Sequence, residues 1–342
     1  MKYLYLLIIT VACLQSCQRQ VFTTSERFSL SGKTNKLPDG TMIYIVDVLS
    51  NRILDSVPVK NHRFFWKAEL PVLPFHLFLH TGDYAQSKSI WVENHPVVFD
   101  ASRSDFEKAV ITGSKTQSQL EAFLARTADI ESEQEQEEEA IKFIRQYPES
   151  RVSASMLAGY APNWGKQKTR ELYEMLSESN KASVYGQQAR RFVALHREHQ
   201  IGERFTDFAM TDPRGDTLRL SQHLGRITLL EFWASWCGPC RAQNPELVRT
   251  YDKYKNAGFD IFAVSLDFSG KDWQRVITKD DLRWHHVSDL KGRNSTAGMI
   301  YGINTIPDNY LIGPDGLIVA RGVWGDQLEA AIEQILAKSK KN

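Results

Sequence analysis

The run Trp236-Cys237-Gly238-Pro239-Cys240 constrains this chain more than any other stretch. It follows the largely apolar Ile227–Trp233, which suits a buried parallel strand, and precedes Arg241–Lys255, whose spacing is helical. A strand, a short turn and a helix in that order place the first cysteine at a helix N-terminus. There, unpaired N–H groups and the positive end of the macrodipole favour a thiolate. Its pKa is expected nearer about 7 than the free value of about 8.5. The second cysteine falls in the first helical turn, close enough to close a disulfide. Pro239 suits that turn because its missing N–H costs no helical bond there.

The same alternation continues from Gly202 onward. Phe259–Leu266 reads as a second buried strand and Trp284–Val287 as a short one, while Tyr310–Ile312 and Leu317–Ala320 form a hairpin across Gly313-Pro314-Asp315-Gly316. Leu328, Ala331, Ile332, Ile335 and Leu336 share one face of a last helix. Strands alternating with helices and ending in a hairpin imply an α/β sheet.

Residues 227–245 resemble thioredoxin, specifically its TlpA-like exported branch, and the resemblance spans about 202–338. It implies a thioredoxin fold for 201–342, a protein-disulfide reductase working without cofactor or metal, and disulfides of exported proteins as partners. By that resemblance Cys237 is the attacking thiolate and Cys240 the resolving thiol that releases product from a mixed disulfide. Glu231 stands where thioredoxins bury an Asp, and would take the Cys240 proton through water, as a carboxyl of raised pKa can. Pro307, within Thr305-Ile306-Pro307-Asp308, matches the cis-proline loop, exposing the Ile306 backbone for strand-like pairing with substrate. Trp236, Gly238 and Pro239 complete the substrate face, and Pro245 matches the helix-kinking proline. Some cytochrome-maturation reductases carry Glu three residues after the second cysteine. This chain has Gln243, which argues against a dedicated haem-apoprotein reductase.

Between Phe28 and about Thr112 short strands are punctuated by turns: Met42–Val48, Phe64–Leu70, Phe75–His80, Ile90–Val92 and Val97–Asp100. That spacing indicates an antiparallel sandwich or barrel over 27–114. Asn61-His62 stands where a hairpin would carry Asn-Gly, so a longer or looser turn is expected there. On Ser31-Gly32, Asp39-Gly40, Asp55-Ser56, Phe64 and Thr112-Gly113-Ser114 this part resembles the β-rich domain of unknown function found ahead of thioredoxin modules in Bacteroidota lipoproteins. Over 115–200 the period turns helical, with Leu120/Phe123/Leu124, Leu172/Met175/Leu176 and Ala189/Phe192/Val193/His196 on shared faces. Pro148 and Pro162 are expected to divide this region, a spacer or a dimerisation element that would make the chain a homodimer. Asp129 to Glu139 holds seven acids and no base, read as a solvated helix face.

Residues 1–16 read as an export signal: Lys2, then an uncharged and mostly apolar run from Tyr3 to Ala12, too short to span about 30 Å of hydrocarbon. Leu14-Gln15-Ser16-Cys17 resembles a bacterial lipobox, which implies cleavage before Cys17, acylation of that cysteine, and residues 17–26 as a tether. Cys13 would leave with the signal. The resemblance implies a lipid-anchored protein of the cell envelope facing the periplasm. Gln18, in place of the Asp that retains lipoproteins at the inner membrane, favours the outer membrane.

A formal net charge of +1 supplies no field for nucleic acid. A zinc ribbon needs a second ligand pair, and with Cys17 acylated only two free thiols remain after processing. His196/His199 and His285-His286 join no metal-ligand pattern. Gly32-Lys33-Thr34 lacks the upstream glycine of a phosphate loop. Gly-Pro between the cysteines matches reducing thioredoxins near about −270 mV, roughly 7 kcal/mol from oxidising relatives near about −120 mV. A reductase in an oxidising compartment needs recharging, which implies a membrane thiol-transfer donor. The other readings are a disulfide isomerase or oxidase, a purely structural disulfide, a peroxiredoxin-like peroxidase (though Thr-x-x-Cys is absent), and a partner-binding lipoprotein with an auxiliary redox domain.

Overall fold

The computed structural model describes residues 28–339. The expected signal, Cys13, Cys17 and the tether lie outside the described residues. Eight strands open the described chain: β1 (Ser29–Thr34), β2 (Met42–Asp47), β3 (Arg52–Pro58), β4 (Arg63–Lys67), β5 (Phe75–Thr81), β6 (Ser87–Val92), β7 (Pro96–Ala101) and β8 (Val110–Thr112). They form two sheets, ordered β4-β1-β7-β8 and β3-β2-β5-β6. Alternation decides which face is inside: β4 buries Phe64 and Trp66 and exposes the residues between. Those two side chains share one core with Ile43, Ile45 and Leu79 of the opposite sheet, making a sandwich.

Two details depart from expectation. The sandwich is not wholly antiparallel: β1 and β7 run parallel from Ser29↔Pro96 to Thr34↔Ala101. The chain reaches β7 after building two strands of the other sheet, so no hairpin dictates its direction. The Asn61-His62 turn is tight, not loose. Lys60 and Arg63 exchange amide-to-carbonyl bonds of 2.8 and 3.0 Å around it, and its two residues take φ of 49° and 58°. His62 occupies a left-handed position usually given to Gly. Its carbonyl accepts from the Thr34 amide at 2.8 Å, which helps hold it there.

Five helices follow: α1 (Lys115–Thr127), α2 (Glu133–Gln146), α3 (Arg151–Met175), α4 (Glu178–Lys181) and α5 (Val184–Leu195). Ser114, Ser132, Ser177 and Ser183 cap α1, α2, α4 and α5 through their hydroxyls, satisfying amides the helices leave open. Pro162 stays within α3, and the interruption falls three residues later at Gly165, with φ 69° and ψ 178°. Glycine reaches that backbone without a Cβ penalty. The acidic run is largely a solvated face of α2. Glu139 pairs with Arg126 and Lys142, and Glu137 accepts from Asn163 and the Trp164 indole.

The last unit holds β9 (Ala209–Thr211), β10 (Thr217–Arg219), β11 (Ile227–Trp233), α6 (Gly238–Tyr254), β12 (Phe259–Ser265), α7 (Gly270–Lys279), β13 (His285–Val287), α8 (Thr296–Tyr301), β14 (Asp308–Ile312), β15 (Ile318–Arg321) and α9 (Gly325–Ser339). Its sheet has the order β13-β12-β11-β14-β15, with β11 parallel to β12 and antiparallel to β14. Every residue of β11 is buried, as a central strand covered on both faces requires. The chain is therefore multidomain: a β-rich domain, a helical middle and an α/β thioredoxin fold. Hydrogen bonds stitch the last junction. Arg197 donates to Ile300, Gly202 to Ile318 and Ile318 to Glu203, while the His199 ring stacks on Tyr301 at 4.2 Å. Among the described residues no helix is long and apolar enough to cross a membrane.

Candidate active site

The buried strand β11 delivers the chain to the cysteines, and α6 begins on them. Cys237 is the N-cap of α6, its Sγ accepting from the Cys240 amide at 3.2 Å. The two cysteines are joined as a disulfide with their Cα atoms 5.3 Å apart. Pro239 lies in the first turn. Both sulfur-bearing residues are buried, whereas Trp236 is 56% exposed and Gly238 and Pro239 are open to solvent. The redox pair thus sits at the floor of an exposed Trp–Gly–Pro rim.

Ile306 and Pro307 face it. Their peptide bond is cis, and the Ile306 carbonyl oxygen lies 3.8 Å from Cys237 Sγ. Glu231, on β11, is buried, and burial pushes its carboxyl up to about 8. It lines a void of about 20 Å³ together with Gln243, Glu246, Thr250 and Asn309. That is room for one water with several polar partners.

Two bracing residues carry no motif that sequence reasoning could find. Asp267 is 1% exposed; it accepts from the Ser235 amide and hydroxyl at 2.9 and 2.5 Å and from the Ser265 hydroxyl at 2.6 Å. This fixes the turn that leads into Trp236 and Cys237. Asp280 takes a two-pronged bond from Arg241, at 3.0 and 2.8 Å, and a third from Asn244. The Arg241 guanidinium holds the Asp280 carboxyl below its usual range. Ser235 lies 32 residues from Asp267 and Arg241 lies 39 from Asp280, and only the folded sheet brings them together.

The histidines fill packing roles. His196 stacks on Phe192, and His286 lies buried against Trp233, where burial pushes its imidazole down to about 3. Among the described residues no group of three or more His, Cys, Asp or Glu could hold a metal ion.

The family described as AhpC/TSA matches residues 201–321, and the Domain of unknown function (DUF4369) matches residues 28–120. Thiol-disulfide oxidoreductase ResA of Bacillus thuringiensis (strain Al Hakam) is 30% identical over 147 residues, 43% of this chain and 83% of that protein. ResA of Bacillus cereus (strain ATCC 10987) is 29% identical over the same shares. Among solved structures, a thiol-disulfide oxidoreductase from Bacteroides fragilis is 36% identical, with a TM-score of 0.37, covering 39% of this chain and 98% of that one.

Proposed function

Because this chain belongs to the thioredoxin-like thiol-disulfide oxidoreductases, we propose that it reduces disulfides of exported proteins by dithiol exchange. The observation that carries the reading is the Cys237–Cys240 pair across the first turn of α6, with the Ile306 carbonyl 3.8 Å from the first sulfur. In the reduced enzyme the Cys237 thiolate attacks a substrate disulfide, and one substrate sulfur leaves as a thiolate. Cys240 passes its proton through water to the ionised form of Glu231 and attacks Cys237. The second substrate thiolate leaves. Substrate has gained two electrons, and the enzyme has become the disulfide. A membrane thiol-transfer donor restores the dithiol. Trp236, Gly238, Pro239, Ile306 and Pro307 form the docking face, the Ile306 backbone offering strand-like pairing.

We further assign the chain to the TlpA-like exported branch, lipidated at Cys17 and facing the periplasm, with the units divided at 27–114, 115–200 and 201–342. The AhpC/TSA match favours a second reading, peroxide as the oxidised substrate. Against it, Ala234 stands where the Thr-x-x-Cys of peroxidatic sites would place Thr.

Cys240→Ser tests the proposal directly. Cys237 should hold exported proteins from cells as mixed disulfides, released by dithiothreitol. Recovering none, while hydrogen peroxide oxidises the reduced wild type rapidly, would replace it by the peroxidase reading.

A further inference from the structure

A cavity of about 460 Å³ opens beside the redox pair where all three units meet. Leu49 enters it from the turn after β2, Gly159 and Tyr185 from α3 and α5, and Met299 and Trp236 from the thioredoxin unit. Trp236 is both a cavity wall and the residue before Cys237. A ligand in the cavity therefore touches the residue next to the first redox cysteine. The size and the mostly apolar lining are those of a binding pocket. The Tyr185 hydroxyl is buried in its wall near the Ser155 hydroxyl, yet makes no hydrogen bond of good geometry, a polar atom awaiting a partner.

Charge narrows the occupant. Arg293 is the single charged side chain lining the cavity; it is exposed and joins no ion pair among the described residues. A neighbouring groove of about 450 Å³ shares Leu49 and Met299, and its charged lining residues, Arg191 and Lys291, are again cationic. Neither lining contains a carboxylate. Two joined depressions suit an extended chain better than a compact molecule.

We propose that this cleft is the specificity site of the oxidoreductase: it takes an extended polypeptide segment flanking the substrate cysteine, with a bulky apolar side chain beside an acidic one. The apolar residue packs between Leu49, Met299 and Trp236, and its acidic neighbour meets Arg293. Methionine's adaptable side chain lets one pocket accept several apolar residues. The inference rests on the redox reading of Cys237 and Cys240 and adds what that site selects.

The test uses the full chain and three substrates. Two are disulfide-bridged peptides with Phe-Glu or Phe-Lys next to the cysteine; the third is hydroxyethyl disulfide, too small to reach the cleft. The Glu peptide should exceed the Lys peptide in kcat/KM by about tenfold, the loss expected for one well-placed contact. Arg293→Glu should invert that preference, a rescue that misfolding cannot mimic. A Cβ at Gly159 meets no atom within 4 Å, so Gly159→Leu grows into the cleft. It should lower the ratio of peptide to hydroxyethyl disulfide turnover by about tenfold. Equal kcat/KM for the two peptides, or an Arg293→Glu enzyme with the wild-type preference, overturns the proposal while leaving the redox reading intact. Failure of the wild type to reduce any of the three overturns both.

Discussion

The carboxylate of Asp267 holds the amide and the hydroxyl of Ser235, at 2.9 and 2.5 Å, two residues before the first redox cysteine. One buried side chain on the segment after β12 therefore fixes the turn after β11. Asp267→Ala leaves two donors of Ser235 and the Ser265 hydroxyl without their acceptor. The expected loss is about 1–3 kcal/mol of stability, from unsatisfied buried donors. Chemical denaturation of the oxidised protein measures it, and a variant as stable as wild type would show the turn to be held by other contacts.

Glu231 makes stability depend on pH. Its folded pKa, about 8, stands above the ordinary 4.5, so the folded state holds a proton that the unfolded state has lost. The stability this contributes is complete below about 4.5 and disappears as pH rises to about 8, at roughly 1.4 kcal/mol per pH unit across the window. Glu231→Gln, which cannot ionise, should lack this slope. Urea midpoints at pH 5, 6.5 and 8 should converge at the acid end and favour Gln at the alkaline end. Parallel curves would mean that the carboxyl is not held neutral.

The same substitution should slow the resolving step. With Gln at 231 the Cys240 proton has no nearby carboxylate acceptor, and general-base assistance of this kind contributes about 100-fold or more. Stopped-flow decay of the mixed disulfide, followed at pH 8, where about half of the Glu231 carboxyls are ionised, is the direct measurement. An unchanged decay rate would remove Glu231 from the proton path.

The direction of electron flow is open to one number. Equilibration of the Cys237–Cys240 couple with glutathione should give a potential near about −270 mV if the protein is a reductase. A value above about −180 mV would point to an isomerase or oxidase.

In the β domain, Gly113 has φ of +92°, and a Cβ there would sit 2.1 Å from the Pro96 carbonyl oxygen. Gly113→Ala should cost at least about 1–3 kcal/mol, since backbone strain and steric overlap act together. A thermal melt of the variant indistinguishable from wild type would contradict that geometry.

What the sequence made legible was local. Ile227–Trp233, the two cysteines and α6 are consecutive, so strand period, helix period and motif all lie on one stretch of chain. Glu231 and Ile306-Pro307 became visible through the family resemblance. Asp267 did not, because its partner Ser235 is 32 residues away and no periodicity announces such a contact. The parallel β1–β7 pair was hidden for the same reason: strand direction is set by the path of the chain between sheets. Asn61-His62 misled because propensity favours Gly there, and tertiary hydrogen bonds overrode it. The break at Gly165, expected at Pro162, reflects a helix that tolerates a proline but yields where φ can turn positive. The cleft beside Trp236 draws its walls from three units, and no single segment encodes it.

The stitched junction at Arg197–Phe205 has a mechanical meaning. Backbone bonds to Ile300 of α8, Gly316 of the hairpin turn and Ile318 of β15 tie it to the thioredoxin unit at three places. The redox unit is therefore joined to the end of the helical unit by backbone hydrogen bonds as well as by the covalent chain, so a change in the junction reaches α8 and β15 directly.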